Sequence, residues 1–338
     1  MVLFRRTVVG LLSGVLIGLL AMGGFLWLNQ PMGGPIQPRL VDIPPGTPFT
    51  QVSQILRQNH LVGPEWFFTI LGRVQRVDRK IIPGEYELHT GMRPTELLEK
   101  LVKGEVHQYA LTIPEGYNVL QIADILDQKN LAPKQDILRL VRDPAFIRSL
   151  NVQAPTLEGY LFPDTYQFSR YTPPESIIRT FVNRFHEVVT PNLKDRATVM
   201  GMTLQEVLTL ASVVEKETGL AAERPLVAGV FHNRLQRGIP LQSDPTVIYA
   251  LESFDGNIRK ADLSVNSPYN TYKVRGLPPG PIANPGLAAI HAALYPTQTD
   301  FVYFVARNDG SHQFSVTLAE HNKAVDKYQR QLNGKRAS

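Results

Sequence analysis

Two glutamates, Glu215 and Glu217, close a stretch, residues 208–219, that is otherwise apolar on almost every side. A carboxyl at the end of a buried helix is paired with a cation, open to a cleft, or protonated. The cleft case makes an enzyme, because a desolvated carboxylic acid keeps its proton near neutral pH and can deliver it to a leaving oxygen. The plainer alternative is two solvated acids at a helix end, with Lys216 beside them. Ordinary glycosidases place two carboxylates on either side of one bond. Residues two apart on a helix point to nearly opposite sides, so Glu215 and Glu217 do not readily form that pair. One acid faces the cleft and the other serves elsewhere. A single Glu suffices when the substrate supplies the nucleophile. The acid protonates the glycosidic oxygen, and its carboxylate then takes the proton of a sugar hydroxyl that closes on the anomeric carbon.

Other chemistries lack their residues. The sequence has no cysteine, which excludes disulfides, thiolate zinc sites and thiol nucleophiles. Its eight histidines lack the i, i+4 spacing of a helical metal site, and no phosphate-cradling glycine loop is present. Ser212 lacks the Gly-x-Ser-x-Gly elbow. No metal and no cofactor is therefore expected, and the readings that remain are a carboxylate enzyme or a binding protein.

The elements that must hold these acids can be read from periodicity. Leu204, Val207, Leu208 and Ala211 recur at i, i+3, i+4, i+7, while Leu210, Val213 and Val214 make the rest of that helix apolar, which predicts a buried element. Gly219 is its expected left-handed stop. A second helix is expected over 223–237, containing His232, Asn233 and Arg234, and a third from Asp244, with Pro245 at its first position. Residues 267–272 and 276–282 are irregular and rigid, and long ordered loops commonly line a site. A helix over 287–294 follows, then a strand at 301–305, a turn at Asn308-Asp-Gly310 and a return strand at 313–316. Thr317 and Glu320 form a capping box for a last helix towards Gln331. Upstream, residues 136–185 read as helical, interrupted at 157–168, where Glu158 and Asp164 sit among aromatics; this suits a carbohydrate cleft or, equally, a packed loop whose acids cap helices.

Towards the N-terminus the chain repeats itself. Ile43-Pro-Pro-Gly46 with Gln51, Ile55, Leu56, Gln58 and Leu61 returns seventy positions on as Ile113-Pro-Glu-Gly116 with Gln121, Ile125, Leu126, Gln128 and Leu131. Each copy predicts a strand, a turn and an amphipathic helix. Between them a strand at 84–88 and a helix at 95–102 closed by Gly104 are expected. Residues 7–28 are uncharged and of the roughly 20-residue length that spans a bilayer. Arg5 and Arg6 precede them, and the next charge is Arg39, which orients the N-terminus to the cytoplasm. A retained anchor is favoured over a signal peptide cleaved near Ala21-Met22-Gly23. The 338 residues are 43% hydrophobic and 19% charged, a folded composition. The formal net charge of +5 is interspersed, without the basic runs of nucleic-acid arms, so no nucleic-acid partner is expected.

At these residues the chain resembles the endolytic murein transglycosylases, or YceG-like proteins. The resemblance runs from the anchor to the last helix. It is carried by Ala211-Ser-Val-Val-Glu-Lys-Glu-Thr218, Glu223-Arg224, Asn233-Arg234, Leu241-Gln-Ser-Asp-Pro-Thr-Val-Ile-Tyr249, Tyr269-Asn-Thr-Tyr272, Gly276-Leu-Pro-Pro-Gly280 and His321-Asn322. It implies an α+β chain: a tail at 1–6, a transmembrane helix at 7–28, a linker at 29–40 and a small LysM-like module at 41–110. A mainly helical catalytic domain with a β-hairpin would follow at 111–338, including the second repeat at 113–132. The implied activity is cleavage of the MurNAc–GlcNAc bond of nascent peptidoglycan with a 1,6-anhydro end. The inner membrane is the implied location, with the catalytic domain outside the cytoplasm, and peptidoglycan synthases are implied partners. Helical angles alone favour Glu215 as the buried acid, whereas the resemblance assigns the acid/base role to Glu217. Glu158, Glu215, Gln242, Asp244, Asn270 and Tyr272 are the candidates for holding the glycan. A hydrolase using Glu158 or Asp244 as a second carboxylate, and a non-catalytic wall-binding scaffold, stay open as alternatives.

Overall fold

The computed structural model describes residues 2–330. It opens on an apolar helix, α1 (Val2–Leu28), that already includes most of the expected tail; Met1 lies outside the described residues. Residues 9–27 are all exposed, Trp27 to 76%. The stretch Val9–Leu28 has a mean hydropathy of 2.2 and no buried residue, as fits a membrane anchor or a signal sequence.

The described chain divides into two compact units, one of the residues up to 110 with 167–172, the other of 111–166 with the residues from 173 on. The first contains β1 (Pro38–Ile43), α2 (Phe49–Gln58), α3 (Glu65–Val74), β2 (Gly84–His89) and α4 (Pro94–Lys103). β1 and β2 pair antiparallel with Val41 opposite Tyr86. Strand periodicity turns Val41, Ile43, Tyr86 and Leu88 onto one face, where Val52, Leu56, Phe68, Leu97 and Leu101 close the core. α3 was not legible from periodicity. Its Gly72 lies against the Phe49 ring, where an added Cβ would come within 2.2 Å of Cζ.

β3 (Tyr109–Thr112) begins the second copy of the repeat and pairs with β4 (Thr165–Phe168). The two copies match in backbone detail. Gly46 and Gly116 both take positive φ, 80° and 76°, as do His60 and Asn130 at 57° and 52°. The amide of Leu61 donates to the Leu56 carbonyl and that of Leu131 to Leu126, each at 2.9 Å, so the same left-handed stop ends both helices.

The second unit continues with α5 (Val119–Gln128), α6 (Lys134–Leu140), α7 (Pro144–Ser149), α8 (Pro174–Val188) and α9 (Pro191–Val199). Its centre is α10 (Leu204–Glu217), buried without a break from Val207 to Val214 and started by a Thr203–Glu206 capping box. Packing eight consecutive side chains in the interior explains why this helix is apolar all round. α11 (Arg224–Gln236), α12 (Asp244–Ala250) and α13 (Leu287–Leu294) surround it. β5 (Tyr303–Ala306) pairs antiparallel with β6 (His312–Ser315), and α14 (Leu318–Val325) runs into a π-helical turn, Asp326–Arg330. The expected end of this helix, Gln331, lies outside the described residues.

Two local expectations fail. α10 ends at Glu217 with Thr218 in an extended conformation, and Gly219 does not take a positive φ, so the glycine is not the stop. The cap of α12 is Ser243, which moves Pro245 to the second helical position.

Candidate active site

The last residue of α10 carries its carboxyl into a cleft of about 450 Å³. Glu217, Arg234, Gln242, Asp244, Tyr272, Phe304, His312 and His321 line it. Burial, aided by the Asp244 charge, pushes the Glu217 carboxyl up to about 7 against a hydrogen bond from Ser243 and the Arg234 charge, which both lower it. The residue as a whole is only part-buried, so a desolvated acid still has an opening to the cleft. Such a group is close to half-protonated at neutral pH, the state that general acid–base catalysis needs.

The loop before α12 is built to hold this acid. Ser243 stands at the helix cap, where a hydroxyl ordinarily accepts from a backbone amide. Here it makes no such bond and donates instead to Glu217 Oε1. The Ser243 amide donates to Thr271 Oγ1 at 3.0 Å, Thr246 Oγ1 donates to the Ser243 carbonyl at 2.7 Å, and the two threonine hydroxyls meet at 2.8 Å. Gln242 is bent to φ 50°, a costly conformation for a residue with a Cβ, and its amide donates to the Thr271 carbonyl at 3.1 Å. Tyr272 donates its hydroxyl to Asp244 Oδ1 at 2.6 Å.

Arg234 is 8% exposed and forms no ion pair among the described residues. Its guanidinium donates to the carbonyls of Val302 (2.6 Å), Pro240 (3.0 Å) and Leu241 (2.8 Å) and reaches Gln242 Oε1 at 3.3 Å. It clamps the 240–242 loop to the strand region while presenting a positive charge to the cleft.

The structure therefore gathers Glu217, Gln242, Asp244 and Tyr272 of the sequence-derived candidates and sets the other three apart. Glu215 does lie on the buried stripe, its side chain 5% exposed, but Arg224 pairs with it at 2.7 Å and the Gly286 amide donates to it at 3.1 Å. Burial raises its pKa against both partners. It is an internal ion-pair partner and does not line the Glu217 cleft. Asn270 is fully buried and spends its amide on the Leu263 and Val265 carbonyls at 3.0 and 2.8 Å, fixing its own loop. Glu158 lines a different cavity, of about 380 Å³, with Arg142 and Lys216. There it accepts from the Val119 amide (3.1 Å), Asn284 (3.1 Å) and Tyr249 (3.1 Å), and burial pushes it up to about 7 despite these donors. Asp164, outside both cavities, pairs with Arg184 at 2.7 Å.

Sequence reasoning missed Arg234, His312 and His321 as lining groups and the buried Ser243 as the partner of Glu217. Arg234, His321 and Ser243 stood in the quoted motifs without a role. Nothing local to His312 marks it.

A desolvated acid in a polar, aromatic-edged cleft defines a site for general acid–base chemistry. Comparison with known proteins narrows that class. The model described as the YceG-like family matches residues 41–327. A protein of Bacillus subtilis (strain 168) named endolytic murein transglycosylase is 34% identical over 304 residues, which cover 85% of this chain and 84% of the relative. A Streptococcus pneumoniae (serotype 2, strain D39) protein of the same name is 33% identical over 84% of this chain, which spans 57% of that longer relative. A solved YceG-like protein from Listeria monocytogenes superposes with a TM-score of 0.60 at 35% identity, over 85% of this chain and 98% of that one. The chain belongs to the YceG-like family.

Proposed function

We propose that the protein is an endolytic lytic transglycosylase that cuts the MurNAc–GlcNAc β-1,4 bond of nascent peptidoglycan and leaves a 1,6-anhydro-MurNAc end, terminating strand elongation. The observation that carries this reading is the Glu217 carboxyl, held near pKa 7 by burial at the floor of the cleft; the relatives named endolytic murein transglycosylase supply the polymer. Glu217 protonates the glycosidic oxygen as C1–O4 breaks and positive charge develops on the sugar ring. The C6 hydroxyl then closes on C1, so no water enters the product. Gln242, Asp244 and Tyr272 hold the sugar, and Ser243 fixes the acid. α1 is the single-pass inner-membrane anchor with a cytoplasmic N-terminus. Residues 41–110 form a LysM-like wall-binding module, residues 111–338 the catalytic domain with β5–β6 as its hairpin, and peptidoglycan synthases are the partners at the membrane.

Asp244 favours a second reading, because it places another carboxylate in the Glu217 cleft and could activate water in a muramidase-like hydrolase. Digestion of purified peptidoglycan by the full chain, with the new ends read by mass spectrometry, separates the two. Anhydro ends are expected. Reducing ends would replace the transglycosylase with the hydrolase, and no release would leave a binding protein.

A further inference from the structure

The cleft holds a second proton-transfer group that neither the family comparison nor the single-acid scheme uses. His312 opens β6 and lines the same cleft as Glu217. Its Nδ1 lies 2.7 Å from Glu223 Oε2, and its backbone amide donates to Glu223 Oε1 at 3.1 Å, so one carboxylate grips both ring and main chain. Glu223 sits at the turn that leads into α11, and the imidazole and carboxylate are 11% and 18% exposed. Phe304 meets the ring edge-on at 5.4 Å and fixes its plane. Glu223 thus selects the tautomer with the proton on Nδ1. Nε2 makes no hydrogen bond among the described residues and is not an enclosed orphan, and the side chain it belongs to lines the cleft.

We propose that His312, oriented by Glu223, is the base that accepts the proton of the attacking C6 hydroxyl, leaving Glu217 to act as acid. The inference rests on the transglycosylase reading above. In the step, the Glu217 proton goes to O4 and C1–O4 breaks. O6 bonds to C1, and the O6 proton passes to His312 Nε2. The cleft ends with a carboxylate and an imidazolium, the sugar fragments balance without water, and exchange with solvent restores both groups. The charged and titratable groups facing His312 are Glu223, Glu217, Arg234, Asp244, Tyr272 and His321. His321 is a poor substitute, because burial and Arg234 hold its pKa down, and its Nδ1 is enclosed without a partner among the described residues.

The pH dependence of kcat/KM for anhydro-end formation by the full-length protein in detergent decides it. An acid alone gives a rate that is flat on the acidic side and falls as Glu217 ionises. An acid with a neutral imidazole gives a bell. Wild type is expected to show the bell. His312→Gln should lose about a hundredfold in rate and its acidic limb with it, while keeping the thermal unfolding transition. Glu223→Gln, which takes away the carboxylate that grips the ring, should lose part of the same rate and of the acidic limb with it, and this variant carries the test if His312→Gln does not fold. A wild-type profile flat to the acidic side, or an acidic limb that survives both substitutions, overturns the role of His312 alone. A wild type that makes no anhydro ends overturns the transglycosylase reading itself.

Discussion

Ser243, at the cap of α12, gives its hydroxyl hydrogen bond to Glu217, at the last residue of α10, and not to its own helix. The bond favours the ionised carboxylate and opposes the burial that raises its pKa. Ser243→Ala removes that stabilisation, so the Glu217 pKa should rise above about 7. Because the protonated acid is the active form, the alkaline limb of the pH–rate profile should move to higher pH. A limb that stays in place would mean that the hydroxyl has no influence on the acid.

Glu217 is a stability liability by the same physics. Its folded pKa of about 7 lies above the ordinary 4.5, so the folded state binds the proton more tightly than the unfolded chain. Stability linked to this group is present below pH 4.5 and is lost as pH rises towards 7. Glu217→Gln escapes that loss and should be more stable than wild type by about 3 kcal/mol at pH 8, with the difference vanishing in acid. Chemical denaturation at two pH values measures it.

Gln242 is held at φ 50°, and glycine adopts that region without penalty. Gln242→Gly should leave stability unchanged or raise it by about 0.5 kcal/mol. It also removes the Oε1 contact with Arg234 and a cleft-lining amide, so KM for glycan should rise several-fold. Thermal unfolding and steady-state kinetics of the same preparation separate the two effects.

Glu158 is tied into the packing around its own cavity by three donors. Replacing it by alanine strands the Val119 amide, the Asn284 amide group and the Tyr249 hydroxyl in a buried place. The expected cost is about 3 kcal/mol or more. The alkaline limb set by Glu217 should stay where it is, which the pH–rate profile of the folded fraction would show.

Much of this was legible in the chain. The span of α13 follows from 287–294 as read, and the seventy-residue repeat is repeated in the φ angles of Gly46 and Gly116. These are local properties, set by periodicity and by turns that only glycine enters easily. The site was less legible because its partners meet through tertiary contacts. Ser243 reads as one more residue of a motif until Glu217 is seen beside it. Glu215 reads as the better buried acid until Arg224 neutralises it, and His312 reads as an isolated histidine until Glu223, 89 positions earlier, grips it. α9 escaped for a different reason: only Leu193 and Ala197 are buried on it, too few to mark a face.

The claim on which the rest depends is that Glu217, and not its neighbour Glu215, performs the acid chemistry. The direct comparison is Glu217→Gln against Glu215→Gln, full-length, on purified peptidoglycan at a temperature where both are folded. Glu217→Gln should lose anhydro-end formation by about a thousandfold. Glu215→Gln, which breaks the buried pair with Arg224, should lose about 3 kcal/mol of stability and keep most of the activity of its folded fraction. Anhydro ends made by a folded Glu217→Gln, or abolished by a folded Glu215→Gln, would contradict the account.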